Sequence, residues 1–422
     1  MKKFTKILTV FVLTLITVFS FSACTFVFKN SEFTPTETPP PAEILGVNIK
    51  EQPVDTRQLL TLEQANVKVE RSIVAIETTG GAGAGVIIDL DIENVNDDNV
   101  IYIATCHHVI ESKGDIAVYI PDAENPDNYL NTDYIFTGTI GGLISDNQNK
   151  AVTLVGSDFK ADIGVIKIDL SKPALSGNTL SVSKIVKAVI PTSDYKVTQG
   201  ETVFAIGNPT GGLPGWLCSG IVASLEETIP VSDIGNMKLM GISAPTNPGN
   251  SGGGLFNMYG ELIGITNAGN TAYDAINFAI PLYTSDKDVS GSIDNGVVNM
   301  VQQLVASSTA TNYGYVAGRK VMFGITVAKN ANSDDTYILS VTEGSLAQEA
   351  GIKKDDVIIG VKVNDVEKPE VDTYEEINQA LASLKIGDKV TLRLKRKNTQ
   401  TQTTTLEVSM TTKQYHFCNT GL

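Results

Sequence analysis

The sequence predicts a mainly β domain followed by a smaller α+β unit, and three observations carry that reading. From Thr61 to about Leu282, short runs rich in β-branched residues ("RSIVAIET", "GVIIDL", "NVIYIAT", "DIAVYI", "DIGVIKIDL", "ETVFAIG", "GELIGIT") are broken by Gly, Asn, Asp and Pro. Many short strands joined by turn residues specify an all-β barrel or sandwich. Near Asn295 the period becomes helical in "NGVVNMVQQLVASS", which reads as a connecting helix. Beyond it, "TYEEINQALASL" starts with Thr373 and Glu376 at capping-box spacing and puts Ile377, Ala380, Leu381 and Leu384 on one face. After Gly387, "KVTLRLKRK" alternates Val390, Leu392 and Leu394 with polar residues, as a half-buried strand does.

Composition bounds the function. With 422 residues, 42% of them apolar, the chain can bury two cores, and its net charge of −15 argues against a nucleic-acid partner, which needs a basic stripe. Lys2, Lys3 and Lys6 precede an apolar stretch from Ile7 to Phe21, then "FSAC" sets small residues before Cys24. This resembles a bacterial lipoprotein signal, implying cleavage before Cys24 and lipidation of its sulfur; an uncleaved transmembrane anchor is the alternative. Either way the bulk of the chain is expected outside the cytoplasm. From Lys29 to about Leu60, "SEFTPTETPPPAE" and its surroundings lack hydrophobic periodicity and read as a solvated spacer. Cys106, Cys218 and Cys418 show no metal spacing and no disulfide framework, though a Cys106–Cys218 bridge stays open.

The stretch "TNPGNSGGGLFN" holds Ser251 among glycines. That is either a turn or a nucleophile loop whose amides face a developing oxyanion. A serine nucleophile needs a base, and the base needs a carboxylate to fix its tautomer. Only three histidines exist, and His416 lies in a polar tail, so an imidazole base would sit in "IYIATCHHVIES". Read as strand neighbours, His107 and His108 point to opposite faces and cannot share the role. Asp158, Asp162 and Asp169 compete as the carboxylate in "SDFKADIGVIKIDL".

Here the sequence resembles a family. "TCHHV" is similar to the Thr-x-x-His-Val segment of chymotrypsin-like proteases of the HtrA/Deg type, which aligns the base with His108 and leaves His107 structural. "DIGVIKI" is similar to the segment carrying that family's aspartate, which implies Asp162. "NPGNSGG" matches the serine loop, which implies Ser251 as nucleophile and the amides of Gly249 and Ser251 as oxyanion donors. The order His, Asp, Ser is that of the chymotrypsin arrangement. "GGAGAGVIIDL", "VFAIGNPTGGLPGWLCSGIVASL" and "INFAIPL" match further segments in order, with Ala84 replacing a serine and Gly254 a proline. The resemblance thus implies a chymotrypsin-like double β-barrel. Cys106 as a thiol nucleophile is the competing chemistry. The pocket walls are expected just before Ser251 and around Ile265 to Ala268, favouring a modest aliphatic residue on the acyl side of the cleaved bond.

The C-terminal unit resembles a PDZ domain: "MFGITV" looks like the carboxylate-binding loop, and "EGSLAQEAGIKKDDVIIGVKVNDV" like the stretch that follows, with Asp355 where many relatives carry glycine. This implies peptide binding by strand addition at Phe323, Gly324 and Ile325, with packing as the other role of Phe323. The expected organisation is a signal peptide at 1–23, a linker at 24–60, a protease domain at 61–285, a connecting helix and linker at 286–317, a PDZ domain at 318–412 and a tail at 413–422. The resemblance implies a membrane-tethered endopeptidase that cleaves unfolded or misfolded envelope proteins, needs no metal or organic cofactor and assembles as a homotrimer. The family's trimer-forming aromatic residues are not identifiable in the N-terminal segment. A peptide-binding or chaperone-like protein with an inactive triad is the alternative.

Overall fold

The computed structural model describes residues 46–53, 57–92, 99–121, 134–140, 150–231, 235–269, 276–284, 295–308, 313–314, 316, 324–330, 335–341, 345–367, 374–382, 384, 388–397 and 402–412. The proposed signal segment, Cys24, Phe323, Thr373, Gly387 and the tail from 413 lie outside the described residues.

The expected double barrel is present. Among the described residues, seven strands close a first barrel in the order Ile163–Asp169, Val100–Cys106, Gly81–Ile88, Ile73–Thr78, Gly114–Tyr119, Ile135–Ile140 and Val152–Asp158. Six strands close a second, in the order Thr202–Gly207, Trp216–Val231, Gly235–Ile242, Asn277–Pro281, Leu262–Gly269 and Gly254–Asn257. Closure leaves no unpaired edge, which is how an all-β sequence avoids exposing a row of backbone donors and acceptors. Ile73, Ile76, Ile87, Ile103 and Phe136 are fully buried in the first barrel, and Val203, Val222 and Leu255 in the second.

The connecting helix runs Val297–Ala306 and packs on the first barrel against strands Val152–Asp158 and Ile163–Asp169. Its face of Val297, Met300, Val301 and Leu304 is buried, and Gly314 beyond it pairs with Gly156, where a side chain on Gly156 would strike the Gly314 carbonyl. The C-terminal unit is a six-stranded sheet with helix Tyr374–Ala382, whose Ile377, Ala380 and Leu381 pack into the core together with Leu384, as the helical spacing predicts.

Two expectations are corrected. The described end of the 24–60 segment is not a solvated spacer: Val47–Ile49 pairs antiparallel with Leu90–Ile92, and Glu51–Gln52 parallel with Ile190–Pro191. Val47 and Ile49 are buried, a gain of about 1.5–3 kcal/mol each, which outweighs what a short polar spacer would retain by staying in water. Arg57 then pairs with the buried Glu261 at 2.7 Å and lies 4.3 Å over the Tyr195 ring, tying the segment to the second barrel. The segment expected to be all-β from Thr61 also opens on a helix, Leu62–Val69, because Thr61 and Gln64 form a capping box.

Candidate active site

Strand Val100–Cys106 is buried from Ile103 to its end, and the chain then tightens into a single 3₁₀ turn, His107–Val109, closed by the Ile110 N–H donating to the His107 carbonyl at 2.9 Å. His107 and His108 are therefore turn residues, not strand neighbours as expected. They still diverge. His107 points inward, its Nδ1 2.9 Å from the Ser157 hydroxyl and its ring edge-on to Phe159, whereas the His108 side chain is 42% exposed. Burial lowers the His107 pKa, with Asp162 and Asp158 opposing it only in part, so this ring is held neutral.

Asp162 sits in the turn between strands Val152–Asp158 and Ile163–Asp169, at φ 52, a left-handed conformation that aspartate tolerates better than most residues. Asp158 caps that turn by accepting the Ala161 N–H at 2.7 Å, and Asp169 accepts from Ser171 at the far end of its strand. Of the three competing carboxylates, the structure brings only Asp162 to His108. Its Oδ1 accepts the His108 backbone N–H at 3.0 Å, and its Oδ2 lies 2.7 Å from the ring Nδ1. Burial by itself would lower the His108 pKa; the Asp162 charge and hydrogen bond, with Glu111 adding, override it and raise the ring above its ordinary value.

Ser251 lies in the loop joining strands Gly235–Ile242 and Gly254–Asn257. Gly249 at φ 99 and Gly252 at φ 83 shape it. A Cβ on Gly249 would strike the Asn208 carbonyl, and one on Gly252 the Ala84 carbonyl and the Thr105 hydroxyl, so the two glycines are required by conformation and by space together. The Asn250, Gly252 and Gly253 amides donate within the fold, to Asn247, Thr266 and Asn250 carbonyls. Among the described residues, the Gly249 and Ser251 amides have no acceptor, which leaves the two expected oxyanion donors available.

Asn267 joins the two halves, and single-sequence reasoning missed it because nothing marks one polar residue in "LIGITNAG". Its side-chain amide donates to Asp162 Oδ2 at 2.5 Å, and its carbonyl accepts the Ser251 hydroxyl at 2.6 Å. Among the described residues the Ser251 hydroxyl bonds this carbonyl, not His108. Ile265, Thr266 and Asn267 are buried. Cys106 is fully buried with its thiol donating to the Thr266 carbonyl at 3.3 Å, and burial, then the Asp162 charge, push its pKa well up, which removes it as a nucleophile. Cys106 and Cys218 are both free thiols. In the C-terminal sheet, Gly324 at φ 73 leads into strand Ile325–Lys329, with Ile325 half-buried against the core.

Two closed barrels, an aspartate-anchored histidine and a glycine-framed serine define a trypsin-like peptidase, and residues 83–265 match the trypsin-like peptidase domain while residues 321–408 match the PDZ domain. Serine protease Do-like HtrB of Bacillus subtilis is 30% identical over 327 residues, covering 75% of this chain and 60% of that protein. Serine protease Do-like HtrA of the same organism is 29% identical, covering 76% and 62%. A probable periplasmic serine endoprotease, DegP-like, of Chlamydia trachomatis is 26% identical, covering 74% and 52%. The chain carries a trypsin-like peptidase domain followed by a PDZ domain, is similar to these HtrA- and DegP-named relatives, and spans about three-fifths of the length of the two Bacillus relatives.

Proposed function

We propose that this protein is an extracytoplasmic serine endopeptidase that cleaves unfolded or misfolded envelope proteins. Ser251 attacks the peptide carbonyl, His108 Nε2 takes its proton and returns it to the leaving amine, Asp162 holds the ring in the Nδ1–H tautomer, and the Gly249 and Ser251 amides stabilise the oxyanion. What supports this reading is one arrangement: the Asp162–His108 pair, and beside it a serine loop in which the Gly249 and Ser251 amides lack acceptors among the described residues. Catalysis requires the Ser251 hydroxyl to leave the Asn267 carbonyl and turn to His108.

An extracytoplasmic location is supported by the relative named as a probable periplasmic endoprotease and by the N-terminal pattern ending at Cys24, which we take as a lipid anchor. Among the described residues no helix is long and apolar enough to cross a membrane. The PDZ unit would take C-terminal peptides at Phe323, Gly324 and Ile325. Homotrimer formation rests on the family resemblance alone.

The second reading, a peptide-binding protein with its triad at rest, draws on the Ser251–Asn267 bond. Casein digestion separates the two. Cleavage by wild type and none by Ser251→Ala supports the endopeptidase; equal capture of unfolded casein by both proteins without cleavage supports the binding protein.

A further inference from the structure

We propose that Cys106, His108 and Asp162 form an inhibitory binding site for a thiophilic divalent cation such as Zn²⁺ or Cd²⁺. One donor atom from each residue lies within 4.8 Å of the other two. Cys106 and Ile163 are cross-strand partners, which fixes the sulfur beside Asp162, and the following turn brings His108 to the same point. Sulfur, imidazole nitrogen and carboxylate oxygen are the donors that borderline-soft cations select. With bonds of about 2.3 Å to sulfur and about 2.0–2.2 Å to nitrogen and oxygen, the set needs to adjust by only about an ångström.

The charges close as well. A dication with one thiolate and one carboxylate is neutral, which suits a buried site, whereas without the cation the sulfur stays protonated on the Thr266 carbonyl. On binding, Cys106 loses its thiol proton, while the ring exchanges the Nδ1 proton for one on Nε2, so a neutral His108 site releases one proton per cation. Asn267 already donates to Asp162 Oδ2 at 2.5 Å and reaches the Cys106 sulfur at 4.0 Å, an outer amide that steadies both ligands. The half-exposed His108 side chain gives the cation its approach. With Nε2 protonated, His108 no longer accepts a proton from Ser251. Inhibition, though not binding, therefore rests on the proposed catalytic role of His108; the cation is no part of the hydrolytic reaction itself.

Cadmium titration of the purified full chain tests this, read by the thiolate-to-cadmium absorption band and by casein cleavage, with Zn²⁺ in parallel for cleavage. Wild type and Cys218→Ala should show a band that Cys106→Ala and Cys106→Ser lack. Each protein's inhibition is normalised to its own cation-free rate, and the Cys106 variants should need about tenfold more cation or higher. A band of full strength in Cys106→Ala, or unchanged sensitivity, overturns the proposal. X-ray absorption of the cadmium-loaded Cys218→Ala protein reads the site with Cys106 intact: a shell holding sulfur and imidazole supports it, and a shell without sulfur overturns it. Both optical and absorption readouts decide binding even if the chain proves proteolytically inert.

Discussion

Asp162 holds His108 at two points, one carboxylate oxygen on the backbone N–H at 3.0 Å and the other on the ring Nδ1 at 2.7 Å. The double grip fixes where the ring stands and which nitrogen faces Ser251. Asp162→Asn keeps the shape but presents an amide to Nδ1 and favours the wrong tautomer. Steady-state kinetics on a casein-derived peptide should show kcat reduced by about 10⁴ with KM little changed.

Asn267 supplies a charged-acceptor hydrogen bond to the same carboxylate, a contact of about 1.5–3 kcal/mol. Asn267→Ala should lower kcat by roughly ten- to a hundredfold, the equivalent of that energy. An unchanged kcat would show that Asp162 is positioned without it.

The pKa values of the paired histidines are shifted in opposite directions. His108 must be neutral to act as base, and Asp162 raises its pKa, so activity is lost as pH falls through a value above the usual ~6.5 and is restored as pH rises. Burial lowers the His107 pKa, so this ring takes up its proton at lower pH than His108. Imidazole proton NMR of wild type and His107→Asn, recorded beside a pH–rate profile, checks the order; a kinetic limb below the ordinary histidine value contradicts it.

Gly249→Ala introduces a Cβ at φ 99 against the Asn208 carbonyl and displaces the loop amide. Activity should fall by about 10²–10³, the loss associated with one oxyanion donor. Thermal unfolding run alongside separates this loss from misfolding.

Arg57→Ala leaves the buried Glu261 charge with no cation, its carboxylate held only by the Asn257 amide at 2.9 Å, and should destabilise the protein by about 3–5 kcal/mol in denaturant unfolding. A change under about 1 kcal/mol, the scale of an exposed pair, would mean the segment does not anchor to the second barrel.

The chemistry-bearing residues were legible because each lies in a short contiguous motif: "TCHHV", "ADIGVIKI" and "NPGNSGG" carry their meaning locally. The barrel strands were legible through β-branched runs, and the connecting helix through its apolar period. The Val47–Ile49 strand was hidden because three residues beside a Pro- and Thr-rich stretch make too little alternation to register, and its partner, Leu90–Ile92, is far along the chain. "TLEQ" does carry a capping box, but the β-rich context around it masked a short helix. Asn267 was out of reach for a different reason: its importance comes from two contacts, to Asp162 and Ser251, that exist only after both barrels close. The nearness of Cys106 to the histidine–aspartate pair needs only the first barrel, where Cys106 and Ile163 are cross-strand partners.

The central claim is that the Ser251 hydroxyl turns from the Asn267 carbonyl to His108 and becomes nucleophilic. A fluorophosphonate probe with mass-spectrometric mapping tests it most directly on purified wild type, His108→Ala and Ser251→Ala. The account predicts phosphonylation of Ser251 in wild type, at least about 10³-fold slower labelling in His108→Ala and none in Ser251→Ala. Wild-type protein that stays unlabelled at Ser251, or labels equally without His108, would contradict it.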